Sequence, residues 1–224
     1  MTPALPRGLR GALPQDTQKA WVALAPILPS ALYLGGGTGV AVHLGHRRSR
    51  DLDFFFHRGA VDLERLAQRL DEVGAFAVTD TSPGTLRGLF GATKLEFLHA
   101  DEVAAQELLE EPTVVAGLRV ASLKDLLAMK LKVLGERGEM RDYFDVKAID
   151  ERSALSVEEG IALFLERYRV DPSSGALKGL VRALGYLEDV EEDEGLPVAK
   201  DDLEAWWQRR QAALIRNLGR AGIG

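Results

Sequence analysis

Apolar positions recur along this chain with two periods, and the change of period separates helices from strands. Helical spacing over residues 15–25 predicts a short amphipathic helix, and the apolar run 31–34 reads as a short buried strand ending in Gly35, Gly36 and Gly37. Thr38 is then placed to cap a helix through Leu44 that Gly45 stops, followed by a loop over 47–50. Residues 51–56 alternate as a strand does, with Asp51 and Asp53 on one face and Leu52, Phe54 and Phe56 on the other. Val61, Leu63, Leu66, Leu70 and Val73 define a helix over 61–73 suited to packing on a sheet. Three strand-like runs follow at 76–81, 85–90 and 93–98, the last two joined at Gly91 closely enough for a hairpin. The sheet is therefore expected to mix parallel and antiparallel neighbours.

A single further strand is expected over 113–120. Ser122 can cap the next helix, which Gly138 breaks before another begins near Met140. Beyond Ser156 the pattern is helical except for "YLEDVEEDEGLP", read as a solvated acidic loop. These elements predict an α+β fold, a mixed β-sheet flanked by helices with a helical C-terminal part. The expected organisation is a sheet-bearing domain over 1–150 and a helical extension over 151–224 packed on it, with the seam near 149–156, where strand-forming segments have ended.

Composition narrows the classes. With 224 residues, 46% hydrophobic and 28% charged, the chain can bury a substantial core, and a compact enzyme is the default. A net charge of −6 argues against nonspecific coating of nucleic acid, which draws its affinity from phosphate neutralisation. There is no cysteine, and His43, His46, His57 and His99 lack zinc-ligand spacing. The opening "MTPALPRGLRGALPQDTQKAW" has proline and glycine where a signal peptide needs a continuous apolar run, and no segment suits a bilayer span, so a cytoplasmic location without membrane contact is expected.

The chemistry concentrates in "YLGGGTGVAVHLGHRRSRDLDFFF". Two carboxylates on one strand face repel each other, and burying them unpaired is costly, so a cation must compensate. Arg47, Arg48 or Arg50 could supply it at an ordinary salt-bridged strand edge. Upstream, however, Gly36, Gly37 and Thr38 sit where a strand hands over to a helix, and their backbone N–H groups can face an anion. A phosphate cradle followed by a same-face carboxylate pair describes a device that holds a nucleoside triphosphate while Mg²⁺ bridges its phosphates to the protein.

"GGT" followed by "HLGHRRSRDLDFFF" resembles the first motif of the DNA polymerase beta-like nucleotidyltransferase superfamily, and most closely its AbiEii/AbiGii abortive-infection toxin branch of type IV toxin–antitoxin systems. "ASLKDLLAMKLKVLGERGEMRDYFDVKAI" is similar to that family's Met-Lys helix followed by an Arg/Lys-Asp-x-x-Asp motif, and "YLEDVEEDEGLP" resembles a segment found in a subgroup. The resemblance runs from about Tyr33 to Pro197. It implies a polymerase-beta-like nucleotidyltransferase fold, with 1–150 as the nucleotidyltransferase domain. The implied reaction transfers a nucleoside monophosphate from an NTP to an acceptor hydroxyl and releases pyrophosphate.

The same resemblance implies roles for single residues. Asp51 and Asp53 would hold two Mg²⁺ ions, with Glu96 as third carboxylate; Glu96 shares its strand face with Lys94 and Leu98, and pairing with Lys94 is its alternative. Lys130 would engage the triphosphate, with Lys132 as the other candidate and snorkelling to solvent the structural reading. Asp142 and Asp145 fall in the implied catalytic motif, although Arg141 can pair with Asp145 four residues on, and Asp142 suits a helix start. Arg48, with His46, Arg47 and Arg50, can contact the triphosphate or a polyanionic acceptor. Tyr143 and Phe144 read as core, and at least one of Trp206 and Trp207 as packing rather than base stacking. The implied partners are the NTP, an acceptor that could be a tRNA end, a protein or a small molecule, and a neutralising antitoxin. A catalytically silent nucleotide- or RNA-binding module and an antibiotic-type small-molecule nucleotidyltransferase are the competing functions.

Overall fold

In the computed structural model the described residues are 5–100 and 108–220. They begin with a helix that the pattern did not predict, α1 (Arg7–Ala12), which follows Pro6 and buries Leu9 and Ala12. Proline before a first helical turn costs no hydrogen bond, so the proline and glycine that interrupt an apolar run here are compatible with one short helix. Next come α2 (Gln15–Leu24), β1 (Tyr33–Leu34), α3 (Gly36–Leu44), β2 (Leu52–Phe56), α4 (Leu63–Val73), β3 (Phe76–Ser82), β4 (Thr85–Phe90) and β5 (Thr93–His99), close to the expected bounds. The Asp62 carboxylate caps α4 by accepting from Arg65 N.

The expected single strand over 113–120 is instead a hairpin, β6 (Thr113–Val115) and β7 (Leu118–Val120). Ala116 and Gly117 turn it with φ of 46° and 89°, the paired positive values that two-residue hairpins need. Ala-Gly is not the Asn-Gly or Asp-Gly that marks such turns, so the run reads as continuous. Tertiary contacts hold the turn: Trp21 Nε1 donates to Ala116 O at 3.3 Å, and Gly117 lies so close to Ala25 that a Cβ would meet its methyl at 2.9 Å.

The sheet runs β3-β4-β5-β2-β1-β7-β6. β2 lies parallel to β5 and β1 parallel to β7, and the remaining pairs are antiparallel, the mixed sheet that the sequence predicts. One face carries the core: Leu52, Phe54, Leu95 and Phe97 pack with Trp21, Leu24, Leu66 and Leu70. Phe54 and Phe97 stack at 5.3 Å between centroids. Each such side chain contributes about 1.5–3 kcal/mol by leaving water. Strand alternation consequently turns Asp53 and Glu96 to the opposite face.

The chain divides into two compact units, residues 5–100 with 110–122 and residues 108–109 with 123–220 among those described. The second contains α5 (Leu123–Arg137), α6 (Met140–Arg152), α7 (Val157–Arg167), α8 (Gly175–Ala183) and α9 (Lys200–Arg220). The division thus falls after Ser122, ahead of the 149–156 region where composition changes, because α5 packs on α6, α7 and α8. Gly160 makes the α5–α7 approach close: a Cβ there would meet Leu127 at 2.7 Å. A fully buried pair, Asp125 and Arg167, joins the same helices, and Asp125 also accepts from Leu109 N at 2.9 Å.

Trp207 is completely buried and donates from Nε1 to Tyr143 O at 3.3 Å, while Trp206 sits edge-on to it beneath Lys147. Both tryptophans therefore pack. Tyr143 and Phe144 are buried as expected, and burial together with the Asp142 charge pushes the Tyr143 phenol up to about 12. The acidic stretch over 186–197 is neither helix nor strand.

Candidate active site

Gly36 is constrained twice. Its φ of +59° lies in the left-handed region, and an added Cβ would overlap Asp53 Oδ2, with Asp53 Cγ at 3.0 Å and Cβ at 3.2 Å. The Asp53 carboxylate therefore rests on the backbone at the first turn of α3, where the positive end of the helix dipole favours it. Gly35 N completes the link by donating to Asp53 O at 2.8 Å. The glycine turn and the first acidic motif, separate in sequence, are one local structure.

Thr38 is not the cap of α3; Gly35 occupies that position and Thr38 lies within the first turn. Its side chain is buried, donates to the Asp51 carbonyl and lies 2.7 Å from Ser49 Oγ. Thr38 thus fastens the entry to β2 against α3, leaving only its backbone for an anion. The basic loop is anchored by Ser49 N donating to Ala12 O at 2.9 Å and Thr17 Oγ1 donating to Arg50 O at 2.9 Å. His46 is buried, whereas Arg48 and Arg50 are exposed.

Asp53 is level with Glu96 on β5, Glu96 with Arg87 on β4, and Arg87 with Asp80 on β3. Arg87 bridges Asp80 Oδ2 at 2.8 Å and Glu96 Oε2 at 3.5 Å, and Lys94 Nζ binds Glu96 Oε1. Both oxygens of Glu96 are thus in ion pairs, the alternative that its shared face with Lys94 allowed. Asp51 stands one residue ahead of β2. The Lys94 ammonium is held above its ordinary value, chiefly by its hydrogen bond to Glu96; slight burial opposes this, and the charges of Glu96, Asp51 and Asp53 add to it. Among the described residues no group of three or more His, Asp or Glu side chains stands ready around a metal-sized space. The donor set nevertheless fits a hard divalent cation, because it consists of carboxylate oxygens beside a cradle that a side chain on Gly36 would fill.

The second unit holds the other candidates. Lys130 Nζ lies 2.6 Å from Asp142 Oδ1 and 2.8 Å from Asp145 Oδ2, and all three side chains are buried. Asp142 Oδ2 also accepts from Glu139 N at 3.0 Å, closing the first turn of α6. Burial pulls the Lys130 ammonium down, but Asp145 and Asp142 outweigh it and hold the group above its ordinary value. Lys132, by contrast, pairs with Glu136 at the surface. Arg141 pairs with Glu139 at 2.6 Å and not with Asp145, which faces inward to Lys130.

The sequence-predicted residues thus form two groups: Gly36, Gly37, Thr38, Arg48, Asp51, Asp53 and Glu96 in the first unit, and Lys130, Asp142 and Asp145 in the second. Sequence reasoning missed Arg87 and Asp80, whose places depend on the register of two antiparallel pairs; the 85–90 and 93–98 hairpin carried enough signal to find Arg87. A cleft of 440 Å³ lined by Phe56, Arg58, Asp62, Pro83, Gly84 and His99 opens at the far end of the β2–β5 pair and is separate from this grouping.

A mixed sheet that brings the glycine turn of β1 onto an aspartate of β2, with a second carboxylate beside it, is the arrangement expected from the nucleotidyltransferase resemblance. Residues 22–220 match the family described as nucleotidyl transferase AbiEii toxin, type IV TA system, and the chain belongs to that family. It is accordingly a nucleotidyltransferase of a toxin–antitoxin toxin family. An uncharacterized protein of Aquifex aeolicus (strain VF5) is 28% identical over 179 residues, 79% of this chain and 81% of that protein. The fold is that of JHP933 from Helicobacter pylori (TM-score 0.53, 20% identity, 98% of this chain and 97% of that one). It is likewise similar to MenT4, a nucleotidyltransferase toxin from Mycobacterium tuberculosis H37Rv (TM-score 0.54, 20% identity, 92% and 86%). Among the described residues no helix is long and apolar enough to cross a membrane.

Proposed function

We propose that this enzyme is a Mg²⁺-dependent toxin that moves a nucleoside monophosphate from an NTP to the hydroxyl of a tRNA end, acts in the cytoplasm and is neutralised by an antitoxin protein. The observation that carries the reading is the Asp53 carboxylate seated on Gly36 at the start of α3, level with Glu96. Asp51 and Asp53 are assigned as ligands to two metal ions, with Glu96 joining them, and the backbone N–H groups of Gly36, Gly37 and Thr38 as donors to the phosphates. When bound, the metal supplies charge stabilisation for the transferring phosphoryl group and activation of the acceptor hydroxyl. Exposed Arg48 and Arg50, just ahead of the carboxylates, favour a polyanionic acceptor despite the net charge of −6. Within the second unit, Asp142 and Asp145 fix the Lys130 ammonium.

The test is to incubate the protein with each labelled NTP and Mg²⁺ in cell lysate, beside an Asp53→Asn variant. Label in tRNA with pyrophosphate release, lost in the variant, is the expected result. Label on protein would redirect the acceptor, and label on a small molecule would make the enzyme antibiotic-like. Nucleotide binding without pyrophosphate from any NTP, unaffected by Asp53→Asn, would leave only a silent binding module.

A further inference from the structure

Glu96 lies between two cations, Lys94 on Oε1 and Arg87 on Oε2. These two cations are not equivalent. Arg87 also pairs at its other end with Asp80 at 2.8 Å, so the arginine links β3, β4 and β5 and has a second carboxylate partner that Lys94 lacks among the described residues. Lys94 comes from the same strand face two residues away, and half of its side chain is exposed. A lysine ammonium on a carboxylate that is level with Asp53 neutralises part of what a divalent cation would neutralise, and an exposed, flexible one can leave at little cost.

Resting on the metal-site reading above, we propose that Lys94 is a resident counterion that competes with the divalent cation for Glu96. With the metal absent, Lys94 holds Glu96 in the row and offsets the repulsion from Asp53. Metal binding displaces the ammonium to solvent, where half of the side chain already lies, while Arg87 remains on Asp80. Lys94 is thereby a positioning residue that lowers the affinity of the bare protein for metal.

The experiment measures Mn²⁺ binding by calorimetry and by the loss of free-ion EPR signal, without nucleotide, on the full chain. Variants are Lys94→Met, Lys94→Arg, Glu96→Gln, the Lys94→Met/Glu96→Gln double variant and Asp53→Asn. An exposed ion pair of up to about 1 kcal/mol corresponds to an affinity gain of about two- to fivefold in Lys94→Met. Lys94→Arg, which keeps the charge, should stay near wild type. The gain should vanish in the Glu96→Gln background, since competition requires the shared carboxylate. An equal gain in both backgrounds would mean that Lys94 acts only through its field and would overturn the proposal, as would no gain. Binding that is abolished by Asp53→Asn yet indifferent to Lys94 defeats this inference alone. Wild-type protein that binds no Mn²⁺, or binds it equally with Asp53→Asn, overturns the metal site and this inference together.

Discussion

Glu96 in one unit and Asp142 with Asp145 in the other each hold a lysine, but the two lysines live under opposite conditions. Lys94 has 51% of its side chain exposed and spans two residues of one strand; Lys130 has 8% exposed and joins α5 to α6. An exposed ion pair is worth about 0–1 kcal/mol and is readily exchanged. Breaking a buried one leaves an uncompensated charge in low dielectric, at about 3–5 kcal/mol. The same chemical parts therefore serve two purposes. The sheet grouping can trade its cation for another, and the helical grouping fixes its geometry.

The largest expected effect attacks that fixity. Lys130→Met leaves Asp142 and Asp145 buried without their shared cation and should destabilise the second unit by about 3–5 kcal/mol in urea unfolding. Lys94→Met should change stability by less than about 1 kcal/mol in the same measurement. Equal losses from the two variants would erase the contrast. Loss of activity in Lys130→Met is to be read only beside this unfolding curve, because it can reflect structure as well as chemistry.

Gly36→Ala should come next. A left-handed φ in a non-glycine residue costs about 1–2 kcal/mol, and the new Cβ must push the Asp53 carboxylate aside. Mn²⁺ affinity should fall with it, by more than the roughly 10–100-fold typical of outer-shell changes if Asp53 is a direct ligand. An alanine variant of wild-type metal affinity would separate the glycine turn from the carboxylate site.

How much of this was legible in the sequence follows from the range over which each feature is determined. The Gly36–Asp53 pairing was readable as two motifs because strand alternation and a strand-to-helix glycine turn are local rules; that they touch required the β1–β2 ladder. Lys130 was distinguishable from Lys132 only by the resemblance, since both sit near the apolar stripe of α5, and the structure separates them by burial. The inward turn of Asp145, away from Arg141, depends on how α5 and α6 pack and left no periodic trace. Arg87 and Asp80 were hidden for the same reason, being meaningful only once three strands are in register. The β6–β7 turn escaped because Trp21 and Ala25 stabilise an Ala-Gly sequence that carries no strong turn signal of its own.

The smallest effect concerns pH and extends the contrast to an intermediate case. Arg210 on α9 reaches Asp150 at 3.0 Å and also pairs with Glu158, whose carboxylate accepts from Asn217 at 2.8 Å; the Arg210 and Glu158 side chains are 18% and 25% exposed. The Arg210 hydrogen bond, opposed by burial and aided by Asn217, lowers the Glu158 carboxyl from 4.5 to about 2. A group with a depressed folded value stabilises the fold fully above its unfolded value, and that contribution is lost as pH falls through the folded one. Glu158→Gln should therefore lose about 1 kcal/mol or less, by a constant margin from about pH 7 to 5. The margin should shrink between 4.5 and about 2. Urea unfolding monitored by Trp206 and Trp207 fluorescence, in a Trp21→Phe background, reads this directly. A margin that widened on acidification would mean that Glu158 is repelled rather than held, and that α9 is fastened to α6 and α7 by packing alone.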